Sequence, residues 1–275
     1  MDGGEFDLEI SPKDRKKIED KEAIGAVVVH EVIRLEGEAE LERPNAALAW
    51  SALASGLSMG FSLLGEGLLR AHLPDAGWRP LLAKLGYSLG FLIVILGRQQ
   101  LFTENTLTVV LPLLYRRNLG TLVNVLRLWS IVLTANLVGA YCFTLGLRAP
   151  LFKSEVLQAF QDIGREAMVP TPLTHFLMAI FSGWLIALMV WLLPSAEGSK
   201  VGIIVIITYV VALGGFSHVI AGSVETLYLV VNGLLGFADF LLTFLLPTLL
   251  GNIVGGVSLV AALNHAQVVA GKERK

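Results

Sequence analysis

A histidine in an apolar run is the residue of this chain best placed to do chemistry. His218 closes the stretch Gly214-Gly215-Phe216-Ser217-His218, with apolar Ile203–Leu213 before it and Val219–Leu235 after it. An imidazole titrates near neutrality in its ordinary setting. A helix N-terminus adds unpaired N–H groups and a positive dipole end, both of which favour anions. At the head of a restarting helix, His218 suits a small weak-acid anion, which it could attract when charged or protonate in passing. The bland alternative is a core histidine held by hydrogen bonds. Placement at a helix break at membrane depth favours the functional role. A second polar stretch, Gly97–Thr108, holds the candidates to face it. The Thr103 hydroxyl could bond His218 or a solute, or simply cap the helix that restarts at Glu104. Leu101 and Phe102 could form an apolar constriction that strips water from an ion, or pack as ordinary core.

The charged and amide residues nearby invite a structural reading. Arg98, Glu104, Arg127 and Glu225 fall inside apolar segments. Intramembrane charges are costly and generally pair, so two bases and two acids predict two ion pairs. Gln100, Asn105, Asn136 and Asn252 complete an expected polar network that holds loop backbone. Glu66, late in its apolar segment, is expected near enough to the outer surface to stay wet.

The elements that must position these residues follow from length. The apolar flanks of Gly97–Thr108 are each too short to span a bilayer, which takes roughly 20 apolar residues. Joined through the polar stretch, they make one interrupted span, tolerated only where it is buried in protein or lines a cavity. The second break echoes the first. Phe102 stands 34 positions before Asn136, and Phe216 stands 36 before Asn252. That is an internal repeat, and two halves with broken second helices predict a pore built by pseudo-symmetry.

Composition agrees. The chain is 54% hydrophobic, with mean hydropathy +0.67, too apolar for a soluble domain. Residues 1–44 carry 20 of the 44 Asp, Glu, Lys and Arg residues, so a polar leader precedes a membrane domain over 45–269 and a basic tail over 270–275. No cleavable signal is expected, because the N-terminus is acidic and polar. The single cysteine, Cys142, excludes a disulfide framework. No metal cluster, cofactor motif, nucleophile–base pair or nucleic-acid footprint is visible, which argues against an enzyme.

Along the chain, Ser11-Pro12-Lys13-Asp14 reads as the start of an amphipathic leader helix running to Arg43. Six spans follow: Asn45–His72, the broken Leu85–Tyr115, Gly120–Leu147, Pro172–Leu193, the broken Val201–Leu235, and Phe240–Val269. Gly56, Ser58, Gly60 and Ser62 give the first a small-residue face for close packing. Leu73–Lys84 and Arg148–Thr171 are expected as loops. With the N-terminus inside, Lys and Arg number 13 on the inner side and six on the outer, so both termini are expected in the cytoplasm.

Leu101-Phe102-Thr103 with Asn105, Phe216-Ser217-His218, and Gly251-Asn252-Ile253-Val254-Gly255-Gly256 together resemble the formate/nitrite transporter family over about Asn45–Gln267. The resemblance implies an all-α integral membrane protein with six transmembrane helices in an aquaporin-like inverted repeat. It also implies a homopentamer with one pore per subunit, passing small monovalent anions such as formate or nitrite. By the same carry-over His218 is the central pore histidine. Leu101 and Thr103 belong to the first broken loop, Val211 falls near a second constriction, and Phe102 and Phe216 complete the pore set. Four positions depart from the family pattern. Gln100 stands where Glu is common, and Gly222 where an Asn follows the histidine. Ala167 stands where a lysine precedes the fourth span, and Ser182-Gly183 where a Cys-Asn pair occurs. The expected function is a channel or proton-linked transporter for a small anion in the cell (inner) membrane, with lipid and its own copies as partners and no cofactor. An aquaporin-like neutral-solute pore lacks the paired Asn-Pro-Ala loops but shares the fold. A non-transporting scaffold using the charged leader is the third possibility.

Overall fold

The computed structural model describes residues 25–148, 151–196 and 198–272, and all regular structure among them is helical. The described leader helix, α1 (Ala26–Glu42), buries Val29, Ile33, Gly37 and Leu41 on one face. The expected helix start at Ser11 lies outside the described residues. Gly37 is where α1 crosses closest: a Cβ there would stand 2.0 Å from the Thr108 carbonyl oxygen. Arg34 lies over the Tyr115 ring at 4.8 Å, and Glu38 accepts from both Arg34 and Arg116 at 2.7 and 3.0 Å. The described part of the leader, α1, is thus docked on the helices that follow.

α2 (Asn45–His72) has the boundaries read from the sequence. At 28 residues it is about 42 Å long, enough to cross a bilayer core of about 30 Å. Its small residues serve close approach. Gly56 abuts the backbone of Asn136, and Gly60 abuts the ring of Phe143. Both partners lie on α3 (Leu119–Gly146). In the second half, α4 (Pro172–Leu192) meets the last helical run in the same way. Gly183 abuts the backbone of Asn252, and Gly255 abuts the Ile180 carbonyl. The last run, 237–272, passes through two π-helical turns, Phe240–Leu245 and Val254–Ala262.

Among the described residues five helices are long and apolar enough to cross a membrane, and Lys200–Leu213 and Ala221–Val231 are shorter apolar helices. Two expected loops are helical instead. Leu73–Lys84 contains the short helix Arg79–Ala83. Within Arg148–Thr171 lies the amphipathic helix Ser154–Ala167, which buries Val156, Ala159, Phe160, Ile163 and Gly164. Those apolar residues recur at helical spacing; the polar residues between them hide the pattern from a simple polarity reading. The helix is tied to the end of α2 by Arg70–Glu166 at 2.7 Å.

Candidate functional site

Both polar stretches begin with the same helix ending. Helix Ser88–Leu96 closes with Gln99 N–H donating to Val94 O at 3.0 Å and Arg98 N–H to Ile95 O at 3.2 Å, Arg98 itself at φ +50°. Helix Lys200–Leu213 closes with Phe216 N–H donating to Val211 O at 3.0 Å and Gly215 N–H to Ala212 O at 3.2 Å, Gly215 at φ +63°. This is the Schellman arrangement, which spends one left-handed residue to satisfy the last carbonyls of a helix.

A buried asparagine then holds each stretch. Asn136 accepts from Phe102 N–H at 3.0 Å and donates to Gln100 O and Ala52 O at 2.9 and 2.7 Å. Asn252 accepts from Val219 N–H at 2.9 Å and donates to Ser217 O, Ala179 O and Ser182 Oγ at 3.1, 2.8 and 3.0 Å. The correspondence corrects the register read from sequence. Phe102 matches Val219, not Phe216, so Gln100 matches Ser217 and Leu101 matches His218. The repeated unit is a backbone hydrogen-bond pattern, and the phenylalanine in each stretch misleads because residue identity is not what repeats.

The stretches meet through side chains. His218 Nε2 lies 2.8 Å from Thr103 Oγ1, both fully buried. Ala221 N–H donates to His218 Nδ1 at 3.2 Å. A neutral imidazole carries one proton, which therefore sits on Nε2 and is donated to the threonine. The ring also meets Phe91 edge-to-face at 5.0 Å. Helices resume at Asn105 and Ala221. Near the first restart Asn105 donates to Gln100 Oε1 and Leu101 O at 3.0 and 3.1 Å, and Trp129 Nε1 donates to Asn105 O at 3.1 Å.

His218 borders a cavity of about 230 Å³, whose wall also holds Val211, Phe216, Ser217, Glu225 and Lys84. The cavity lies toward the C-terminal end of α2, where Glu166 is anchored, and away from α1. Leu101 and Phe102 are fully buried and do not line this cavity; Phe102 packs on Trp129 at 5.7 Å.

The expected ion pairs among Arg98, Glu104, Arg127 and Glu225 do not form among the described residues. Arg98 is exposed at the helix end. Arg127 donates instead to Asn45 Oδ1 and Leu41 O at 2.7 and 2.6 Å, which places it where α1 turns into α2 rather than mid-span. The buried pair that does form was missed. Glu66 is buried, not wet, and takes Lys84 Nζ at 2.5 Å. His175 was missed too: its Nδ1 lies 2.8 Å from Ser217 Oγ. The available signal was a histidine in the first turn of an apolar span, three residues after Pro172.

Residues 27–266 match the sequence profile described as formate/nitrite transporter. The chain belongs to that family. It is 46% identical over 272 residues to the inner membrane protein YfdC of Escherichia coli (strain K12), covering 96% of this chain and 87% of that one. It is 27% identical over 246 residues to a formate-nitrite transporter of Plasmodium vivax, covering 82% and 78%. A solved pentameric formate channel with formate bound shares the fold, with TM-score 0.69 at 21% identity over 82% of this chain and 98% of that one. The family is one of transporters rather than enzymes. The departures from the family pattern now have places. Ala167 lines the cavity without a charge, and Gly222 offers His218 no side chain and lies against the Phe244 ring. Gly183 lets α4 close on Asn252 while Ser182 Oγ donates to Ser217 O at 2.8 Å.

Proposed function

We propose that this chain is one subunit of a homopentameric channel or proton-linked transporter that passes a small monovalent anion, formate or nitrite, across the inner membrane. Its membrane domain is read as six spans in an aquaporin-like inverted repeat. The second and fifth are interrupted at Gly97–Glu104 and Gly214–Ile220, and both termini are cytoplasmic. The observation that carries the reading is the hydrogen bond of Thr103 and His218, which joins the two interruptions beside a cavity. Family membership and the shared fold with a formate channel support it. His218 supplies the ring N–H that turns the Thr103 oxygen toward it and leaves the hydroxyl hydrogen for a solute. Val211 and Phe216 line the approach with apolar surface, where an anion sheds water. Leu101 and Phe102 close the other side of Thr103.

The test is uptake of formate and nitrite by liposomes holding the purified full-length protein. His218→Phe is expected to lower the initial rate at least about tenfold, on the order of one charge-assisted hydrogen bond, and to change its pH profile. Unchanged rates and an unchanged profile would remove the histidine from transport.

A further inference from the structure

Ser217 stands next to His218 on the cavity wall. Its oxygen is held by a second histidine, His175, whose Nδ1 lies 2.8 Å away. His175 comes from α4, a different element from the one carrying Ser217, and both residues are buried. The far ring nitrogen, His175 Nε2, is buried and has no hydrogen-bond partner among the described residues. A buried N–H with no acceptor is the costlier defect, and a bare acceptor is tolerated better. The Phe244 ring, perpendicular to the imidazole at 5.1 Å, is at best a weak acceptor and does not replace one. The proton therefore sits on Nδ1 and is donated to the serine oxygen. The Ser217 hydroxyl hydrogen is then left without a protein acceptor among the described residues, beside a cavity that its residue lines. The backbone cannot swing it away, because Asn252 and Ser182 both donate to the Ser217 carbonyl.

We infer that Ser217 is a second hydrogen-bond donor to the passing anion and that His175 is its positioning residue. The assignment rests on the anion-transport reading above. It gives the solute path two hydroxyl donors, Ser217 on the cavity wall and Thr103 behind His218, each turned by its own imidazole. A donor pair of this kind favours a small anion with two oxygens, a monocarboxylate or nitrite, over a spherical halide. The serine contributes at the wall of the cavity, one step before the Thr103–His218 contact.

The experiment measures initial uptake of sodium formate and sodium nitrite over a concentration series at one pH, with the full-length protein in liposomes. Ser217→Ala is expected to raise the KM for both anions roughly tenfold, the size of one hydrogen bond to a charged partner, with the maximal rate changed less than about twofold. Ser217→Thr keeps a hydroxyl and is expected to keep the KM. His175→Asn keeps a donor at the Nδ1 position and is expected to stay near the parent, whereas His175→Leu raises KM. Because His175 acts through Ser217, His175→Leu adds nothing in the Ser217→Ala background. A parent-like KM in Ser217→Ala, or independent multiplying effects of the two positions, would overturn the assignment while leaving anion transport standing. A parent protein that carries neither anion would overturn both. If His175→Leu fails to fold, the Ser217→Ala and Ser217→Thr pair decides alone.

Discussion

The two interruptions share a backbone and differ in chemistry. Each begins with a Schellman ending, each is held by one buried asparagine, and each gives way to a helix within a few residues. At matched places, however, the first carries Leu101 and the second His218, the first Gln100 and the second Ser217. The first uses Gln100 to hold its own loop through Asn105. The second turns Ser217 toward the cavity and hands the histidine across to Thr103. The second borders a cavity whose wall also holds the charged side chains Lys84, Glu166 and Glu225. A scaffold can thus be duplicated while the side chains it presents diverge: the pattern of backbone bonds tolerates side chains that leave the asparagine contacts intact.

The strongest way to break this comparison is to remove the asparagines. Asn252→Ala strands Val219 N–H and takes one donor each from the Ala179 carbonyl and the Ser217 carbonyl, the latter keeping Ser182 Oγ, and should cost on the order of 3 kcal/mol, at about 1–3 kcal/mol for each buried group left unpaired. Asn136→Ala takes the acceptor from Phe102 N–H and a donor from the Gln100 and Ala52 carbonyls and should cost a comparable amount, about 3 kcal/mol. Thermal unfolding of the purified variants checks both, and a parent-like melting temperature in either would show that the asparagine is not what holds its interruption. Next in size, Lys84→Met leaves Glu66 buried without its cation and should cost about 3 kcal/mol, most of it recovered when Glu66 is also made Met. A double variant no more stable than Lys84→Met would mean the two side chains are not coupled. Smallest is the left-handed position that both endings share. Gly215→Ala should lose about 1 kcal/mol, whereas Arg98→Gly should gain up to about 1 kcal/mol, since arginine there already bears the strain. If both changes move the melting temperature in the same direction, the two endings are not equivalent in solution.

Much of this was legible in the chain. Asn45–His72 was readable because an uninterrupted apolar run with small residues at helical spacing has no competing interpretation. The meeting of Thr103 and His218 was readable as one option, because only polar residues at a break have reason to face one another inside an apolar domain. The helix Ser154–Ala167 was hidden by its polar outer face. The partners of Arg127 and Glu66 were hidden because charge in a sequence says that a partner is needed and not which one. Lys84 is 18 positions from Glu66, and Arg127 is 86 from the Leu41 carbonyl; neither spacing carries a signal.

The amino-acid order by itself determined that this is a membrane chain with two polar interruptions in a repeated framework, because apolar length and helix-breaking residues act locally. The pairing of Thr103 with His218 and of His175 with Ser217, and the register that sets Leu101 against His218, were decided only by tertiary structure. A hydrogen bond needs its two atoms within about 3 Å, and residues 42 or 115 positions apart reach that distance only when packed helices bring them together.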